Sequence, residues 1–270
     1  MNDSLIIDGK EFSSRLFIGT GKHRSIKELE DYIISTESEM ITVAIRRLDL
    51  SNSDSKDLLS FLKNLKIKIL PNTAGCKNIE EILLTCELSR ELIGSNWIKL
   101  EAIKDKKYLL PDPIMTLKAA EKLIKNNFKV LPYINSDPEL AKNLEAIGCS
   151  TVMPLASPIG SGNGIGNEEN IKIIIEQSKV PVVVDAGLAV PSDAARMMEI
   201  GADAVLVNTA IAESKIPKNM GRAFKLGVEA GRISFNSGRI PIKQYASASS
   251  PKTNLIDTWK TLLLSQIQIS

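Results

Sequence analysis

Short apolar runs rich in β-branched residues return along the chain every ~20–32 residues, the rhythm of successive βα units. They read R-L-F-I-G (15–19), M-I-T-V-A-I-R (40–46), I-K-I-L-P-N (67–72), W-I-K-L-E-A-I (97–103), K-V-L-P-Y-I (129–134), T-V-M-P-L-A (151–156), P-V-V-V-D-A (181–186) and A-V-L-V-N-T-A (204–210). Helix signatures fall between them. Asp112-Pro113 reads as an N-cap followed by proline at the first helical position, with an apolar stripe of Ile114, Leu117, Ala120 and Ile124. Asp137-Pro138 opens a helix that buries Leu140, Leu144 and Ile147 and stops at Gly148. Ser192 and Asp193 begin another, ending near Gly201. About eight such repeats imply an α/β fold of the (β/α)8 TIM-barrel type. An open doubly wound sheet is the alternative, but no G-x-G-x-x-G follows the first strand.

No Pro-, Gly- or Ser-rich linker divides the chain, so 1–270 reads as a single domain. Residues 1–14 are expected to form a short N-terminal strand and turn that cover the bottom of the barrel. From about residue 234 the pattern breaks into a polar C-terminal tail, in which Ile256–Ile269 is expected to form a terminal helix.

Composition narrows the partners. A net charge of +2 offers no electrostatic case for nucleic acid or a membrane surface. Cys76, Cys86 and Cys149 are scattered and form no Cys-x-x-Cys pair, which reads as reduced thiols in an intracellular protein. With His23 the single histidine, no metal site of the usual zinc types is expected. The N-terminus lacks the apolar core of a secretory signal, and the longest apolar strings fall far short of the ~20 residues a spanning helix needs.

Chemistry concentrates at the strand ends. In W-I-K-L-E, period-two alternation puts Trp97, Lys99 and Glu101 on one face. Both faces of a barrel strand are covered, so Lys99 is expected to be desolvated, with a useful fraction neutral and nucleophilic. Such an amine condenses with a ketone to an imine, and Glu101 beside it is placed to move protons. The alternative is a buried Lys–Glu ion pair, or a lysine that snorkels outward. Asp185 interrupts V-V-V-D-A-G at the end of the seventh strand and is a second acid/base candidate, or else a cap for the next helix. Ser157–Gly164, S-P-I-G-S-G-N-G, presents three glycines whose N–H groups can approach an anion, or forms a flexible lid. With Gly187 and the Asn208-Thr209 pair, three late loops converge on a phosphate site. Arg46-Arg47 and Asn72–Gly75 offer places for a carboxylate or phosphate, or only rim salt bridges. Lys22 and His23 follow the first strand without a clear part in the chemistry.

Taken in order, S-R-L-F-I-G-T-G-K, T-V-A-I-R-R, L-P-N-T-A-G-C, W-I-K-L-E, L-L-P-D-P, V-M-P-L-A-S-P-I-G-S-G, V-D-A-G, V-N-T-A-I-A and G-R-I-P…Y-A-S-A-S-S-P closely resemble the bacterial and plastid thiazole synthase of thiamine biosynthesis, over about residues 5–251. The resemblance implies a sulfur-inserting transferase in which Lys99 forms an imine (a Schiff base) with 1-deoxy-D-xylulose 5-phosphate. Sulfur would come from the thiocarboxylate of a ubiquitin-like sulfur-carrier protein, and the C–N unit from dehydroglycine. It further implies Glu101 and Asp185 as acid/base carboxylates. The sugar-phosphate contacts would be Gly160, Ala186, Gly187, Asn208 and Thr209. No resident cofactor is implied. It also implies a homotetramer that meets a dehydroglycine-producing enzyme, in the cytoplasm or, if plastid-encoded, the stroma. Alanine stands at Ala156 and Ala189 where the family leads one to expect glycine; it resists φ > 0 and adds a methyl near the phosphate, a change of loop geometry that leaves the chemistry untouched.

Two other classes compete. An FMN-dependent TIM-barrel oxidoreductase would use the same late loops for the flavin phosphate but gives Lys99 no role. A non-catalytic docking partner of the sulfur carrier would bind without forming an imine.

Overall fold

In the computed structural model, residues 3–47, 53–65, 67–249, 259–260 and 262–264 are described. The chain begins with an antiparallel hairpin, β1 (Leu5–Ile7) and β2 (Lys10–Phe12). Then strands and helices alternate: β3 (Leu16–Gly19), α1 (Ile26–Thr36), β4 (Met40–Ala44), α2 (Ser53–Asn64), β5 (Lys68–Asn72), α3 (Ile79–Ile93), β6 (Trp97–Leu100) and α4 (Pro113–Lys125). They continue through β7 (Lys129–Ile134), α5 (Pro138–Ala146), β8 (Met153–Pro154), α6 (Glu168–Gln177), β9 (Val183–Asp185), α7 (Pro191–Glu199), β10 (Ala204–Val207), a short α8 (Thr209–Ala212) and α9 (Pro217–Ser237).

Strands β3 to β10 pair in parallel in the order β8-β7-β6-β5-β4-β3-β10-β9. The two ends of this sheet meet. Parallel bridges Val152–Val182 and Leu155–Asp185 join them, with Val183 N donating to Val152 O at 3.0 Å and Ala156 N to Asp185 O at 2.9 Å. The fold is a TIM barrel.

Alternation along the strands sorts side chains as W-I-K-L-E predicts. Ile98 and Leu100 pack outward with Ile82 and Cys86 of α3 and Met115 and Ala119 of α4. Trp97 points inward, clustered with Phe17, Leu131, Met153, Val183 and Leu206 from five other strands. Leu5, Ile7 and Phe12 of the hairpin join this inner cluster, and Phe12 meets Trp97 edge-on at 6.2 Å. The expected N-terminal cap therefore plugs the barrel's lower end with apolar side chains. Strand β4 ends at Ala44, and Ile45–Arg47 form a 3-10 turn rather than continuing it.

Helix α4 has the expected cap, Asp112 accepting from Met115 N at 2.7 Å. Its stripe is phased differently: Met115, Ala119, Ala120 and Leu123 are buried, whereas Ile114 is 66% exposed. The small Ala119-Ala120 pair lets the helix sit close to the sheet, and that contact sets the buried face.

Residues up to Gly238 form one compact unit and Arg239–Ser270 a second, which corresponds to the expected tail. It starts later than 234 because α9 runs to Ser237. Of the expected terminal helix, Trp259, Lys260 and Leu262–Leu264 are helical, and the remainder lies outside the described residues. Among the described residues, no helix is long and apolar enough to cross a membrane.

Candidate active site

The C-terminal ends of the strands surround a cavity of about 1420 Å³, at the end where barrels of this type carry their chemistry. Lys99 on β6 projects inward, and Glu101, just past the strand, follows on the same side. Asp185, the last residue of β9, comes from three strands round the barrel. Lys99 Nζ lies 2.5 Å from Asp185 Oδ2 and 3.1 Å from Glu101 Oε1. All three side chains are buried. Asp185 Oδ2 meets the ammonium at ion-pair distance and has no further hydrogen-bond partner among the described residues.

Burial is the largest influence on Lys99 and pulls its pKa down, but the charges of Asp185 and then Glu101 overturn it. The amine is held above the ordinary lysine value. This corrects the expectation of a partly neutral amine: desolvation acts as anticipated, and two carboxylates in contact outweigh it. Asp185 is raised by burial, against the opposing charge of Lys99. The carboxylate closest to the ammonium is thus a better proton acceptor than an ordinary aspartate. Asp185 does not cap the next helix; Asp193 serves that turn, Oδ2 accepting from Ala189 N and Val190 N at 2.8 and 3.2 Å.

Two supports of this cluster go beyond the roles read from the sequence, in which Thr73 stands only as part of the Asn72–Gly75 stretch. Thr73 Oγ1 accepts from Glu101 N at 2.8 Å and donates to Glu101 O at 2.9 Å, which fixes the backbone that carries the carboxylate. Tyr133 on β7 is fully buried, with Lys99 Nζ 5.5 Å from its ring centroid. The signal for Tyr133 was its inward parity in K-V-L-P-Y-I. That for Thr73 was weaker, a hydroxyl directly after β5.

The glycine loop closes the other side. Gly160 has φ +70, and a Cβ there would lie 3.9 Å from Thr209 Oγ1 and 4.0 Å from Lys22 Nζ. Loops following β3, β8 and β10 therefore approach one another, with Lys22 among them and paired to Glu213 at 2.6 Å. Gly187 has no room for any side chain, because a Cβ would fall 1.9 Å from Ser157 Oγ. Asn208 Oδ1 is buried without a hydrogen-bond partner among the described residues. Gly160, Ala186, Gly187, Asn208 and Thr209 all line the one cavity. Among the described residues, neither Ala156 nor Ala189 has positive φ; the strained alanine is Ala186, at φ 60.

Arg46 is a rim residue, its Nη1 donating to Gly75 O at 2.9 Å and paired with Glu81. The side chain of Arg47 lies outside the described residues. His23 lines the cavity with Nδ1 buried and unpartnered among the described residues, and burial lowers its pKa against the charge of Glu28. Cys76, Cys86 and Cys149 are free and buried, and burial pushes the Cys149 thiol up to about 12.

Residues 6–251 match the family model described as thiazole biosynthesis protein ThiG. A thiazole synthase of Prochlorococcus marinus is 55% identical over 260 residues, 94% of this chain and 98% of that protein. The bifunctional protein ThiO/ThiG of Trichormus variabilis is 53% identical over 262 residues, 95% of this chain, and the chain spans 40% of its length. Among solved structures, the Amycolatopsis orientalis BexX/CysO complex matches at 30% identity with a TM-score of 0.79, covering 90% of this chain and 98% of that one.

Proposed function

The chain belongs to the ThiG family of thiazole biosynthesis proteins, and on that premise we propose that it is a thiazole synthase working through a Lys99 imine. The substrates are 1-deoxy-D-xylulose 5-phosphate, dehydroglycine and sulfur from the thiocarboxylate of a ubiquitin-like carrier protein. The observation that carries this reading is the buried Lys99–Glu101–Asp185 cluster, with glycine loops facing it across the cavity.

Lys99 reaches its neutral form by passing a proton to Asp185 over 2.5 Å. That transfer converts a buried ion pair into an amine and an acid; burial of both groups and the raised Asp185 lower its cost, against the attraction that keeps the resting amine protonated. The amine then forms a C–N bond to the ketone carbon. Asp185 returns the proton as the hydroxyl leaves as water, giving the imine. The cationic nitrogen acidifies the neighbouring C–H; Glu101 takes that proton and returns it to the imine carbon, leaving an amine there and a ketone on the adjacent carbon. The carrier's thiocarboxylate sulfur adds to that ketone carbon, the resulting alkoxide takes the carrier's acyl group from sulfur, and the C–O bond breaks to release the carrier as its carboxylate, leaving sulfur on the sugar. The sugar phosphate sits against the backbone of Gly160, Ala186-Gly187 and Asn208-Thr209, with Lys22 alongside.

The protein's own thiols are poor sulfur donors, since all three are buried, which supports an external carrier. That BexX is seen in a complex with CysO supports a docked partner protein, and the fused ThiO/ThiG supports a companion enzyme, to which we assign dehydroglycine supply. Leu84 and Leu88 on α3 and Ile114 on α4 are exposed on neighbouring helices, which supports an oligomer, here taken as a homotetramer. The proposed location is the cytoplasm, or the stroma for a plastid-encoded chain. A flavin oxidoreductase would purify yellow and would leave Lys99 idle. Expression in a bacterium lacking its own thiazole synthase tests the reading: growth without added thiazole supports it, and no growth despite soluble protein overturns it.

A further inference from the structure

Tyr133 presents an imbalance that the mechanism above does not use. Its side chain lies inside the barrel with no exposure, yet its hydroxyl has no hydrogen-bond partner among the described residues. Buried hydroxyls are normally paired, and leaving one unpaired costs stability. A phenylalanine would fill the same space and carry the same ring without that cost. Its placement is specific: β7 neighbours β6, and the ring lies under the Lys99 nitrogen. Burial, then the charges of Asp185 and Glu101, raise the pKa of the phenol against the Ile159 backbone N–H that faces its oxygen, which places both carboxylates within electrostatic reach and leaves the O–H as the donor in want of an acceptor. The phenol therefore shares one interior with Asp185 Oδ2, whose partner there is the Lys99 ammonium.

Imine formation changes the number of donors available there. An ammonium offers three N–H bonds, enough for both carboxylates; a protonated imine offers one. One carboxylate must then lose its partner. Resting on the Lys99 reading, we propose that Tyr133 is a positioning residue of this centre: its ring supports the cationic nitrogen, and its hydroxyl takes over the hydrogen bond to the carboxylate that the nitrogen gives up. The hydroxyl's cost in the free protein is then the counterpart of a bond made in the intermediate.

Tyr133→Phe separates this role from packing. The ring remains and the unpaired hydroxyl goes, so thermal unfolding of the free protein should occur at the same temperature or higher. Lys99 should still trap sugar phosphate under borohydride. Turnover should fall at least about tenfold with KM little changed, the pattern of an interaction made only after binding. A second variant reads the ring. Tyr133→Leu should raise the rate of Lys99 methylation by formaldehyde and cyanoborohydride at fixed pH roughly 2- to 30-fold over parent and Tyr133→Phe, because a cation loses its aromatic support. Turnover of Tyr133→Phe within twofold of parent, a loss of stability matching its loss of activity, or equal methylation rates in all three proteins would overturn the proposal. Failure of the lysine reading has a separate signature: the parent itself would trap no sugar, while the stability and methylation comparisons would stand.

Discussion

Replacing Lys99 with alanine removes the cation from a buried group of three charges. At an effective dielectric of about 20, unit charges at 2.5 and 3.1 Å attract by roughly 7 and 5 kcal/mol. The variant does not lose that much, because one carboxylate can take up a proton instead. Protonating a carboxylate of ordinary pKa near 4 costs about 5.5 kcal/mol at pH 8, which caps the loss. A destabilisation of about 3–5 kcal/mol is expected there. Its pH dependence is the sharper signature. Folded Lys99→Ala holds one more proton than its unfolded chain above pH ~4.3, so its stability falls by about 1.4 kcal/mol per unit as pH rises. In the parent, the raised Lys99 contributes fully below the ordinary lysine value near 10.4, so that contribution is flat between about pH 5.5 and 8.5. Urea unfolding at several pH values across this window should show the gap between the two proteins widening with pH. A constant gap, or a variant as stable as the parent at pH 8, would refute the contact between Lys99 and its carboxylates.

Other substitutions divide the chemistry. Asp185→Asn and Glu101→Gln should still form the borohydride-trapped imine while turnover drops by roughly 10²–10⁴-fold; near-normal product formation by both would remove them from proton transfer. Gly160→Val forces a branched side chain into φ +70 and into the space between Thr209 and Lys22, so calorimetry should show binding of the pentulose phosphate weakened at least about tenfold. Unchanged affinity would make that loop only a lid. Lys99→Arg should give no imine, since a guanidinium stays protonated, and any trapped adduct at that position would contradict the amine's role.

The barrel was legible because parallel strands covered on both sides leave uniform apolar runs at a regular spacing. Lys99, Glu101 and Asp185 stood out because each breaks such a run with a charge. What the sequence hid depends on contacts between strands distant in the chain. The protonation of Lys99 turns on a 2.5 Å approach from β9, and spacing within β6 carries no trace of it. Thr73 and Tyr133 belong to ordinary strand segments, and their importance comes from what lies across the barrel. The phase of α4 was misread because period 3.6 fits adjacent registers almost equally, and Ala119-Ala120 decides between them only through packing. The D-A-G turn carries two left-handed residues, Gly187 and Ala186, and for the alanine that is a conformation its residue type does not advertise.

The most direct test is the intact mass of the protein after borohydride reduction with 1-deoxy-D-xylulose 5-phosphate, followed by peptide mapping. One sugar phosphate should be fixed per chain, on Lys99, and Lys99→Ala should show none. An adduct mapped to any other lysine, or full thiazole formation by Lys99→Ala, would contradict the role given to this residue.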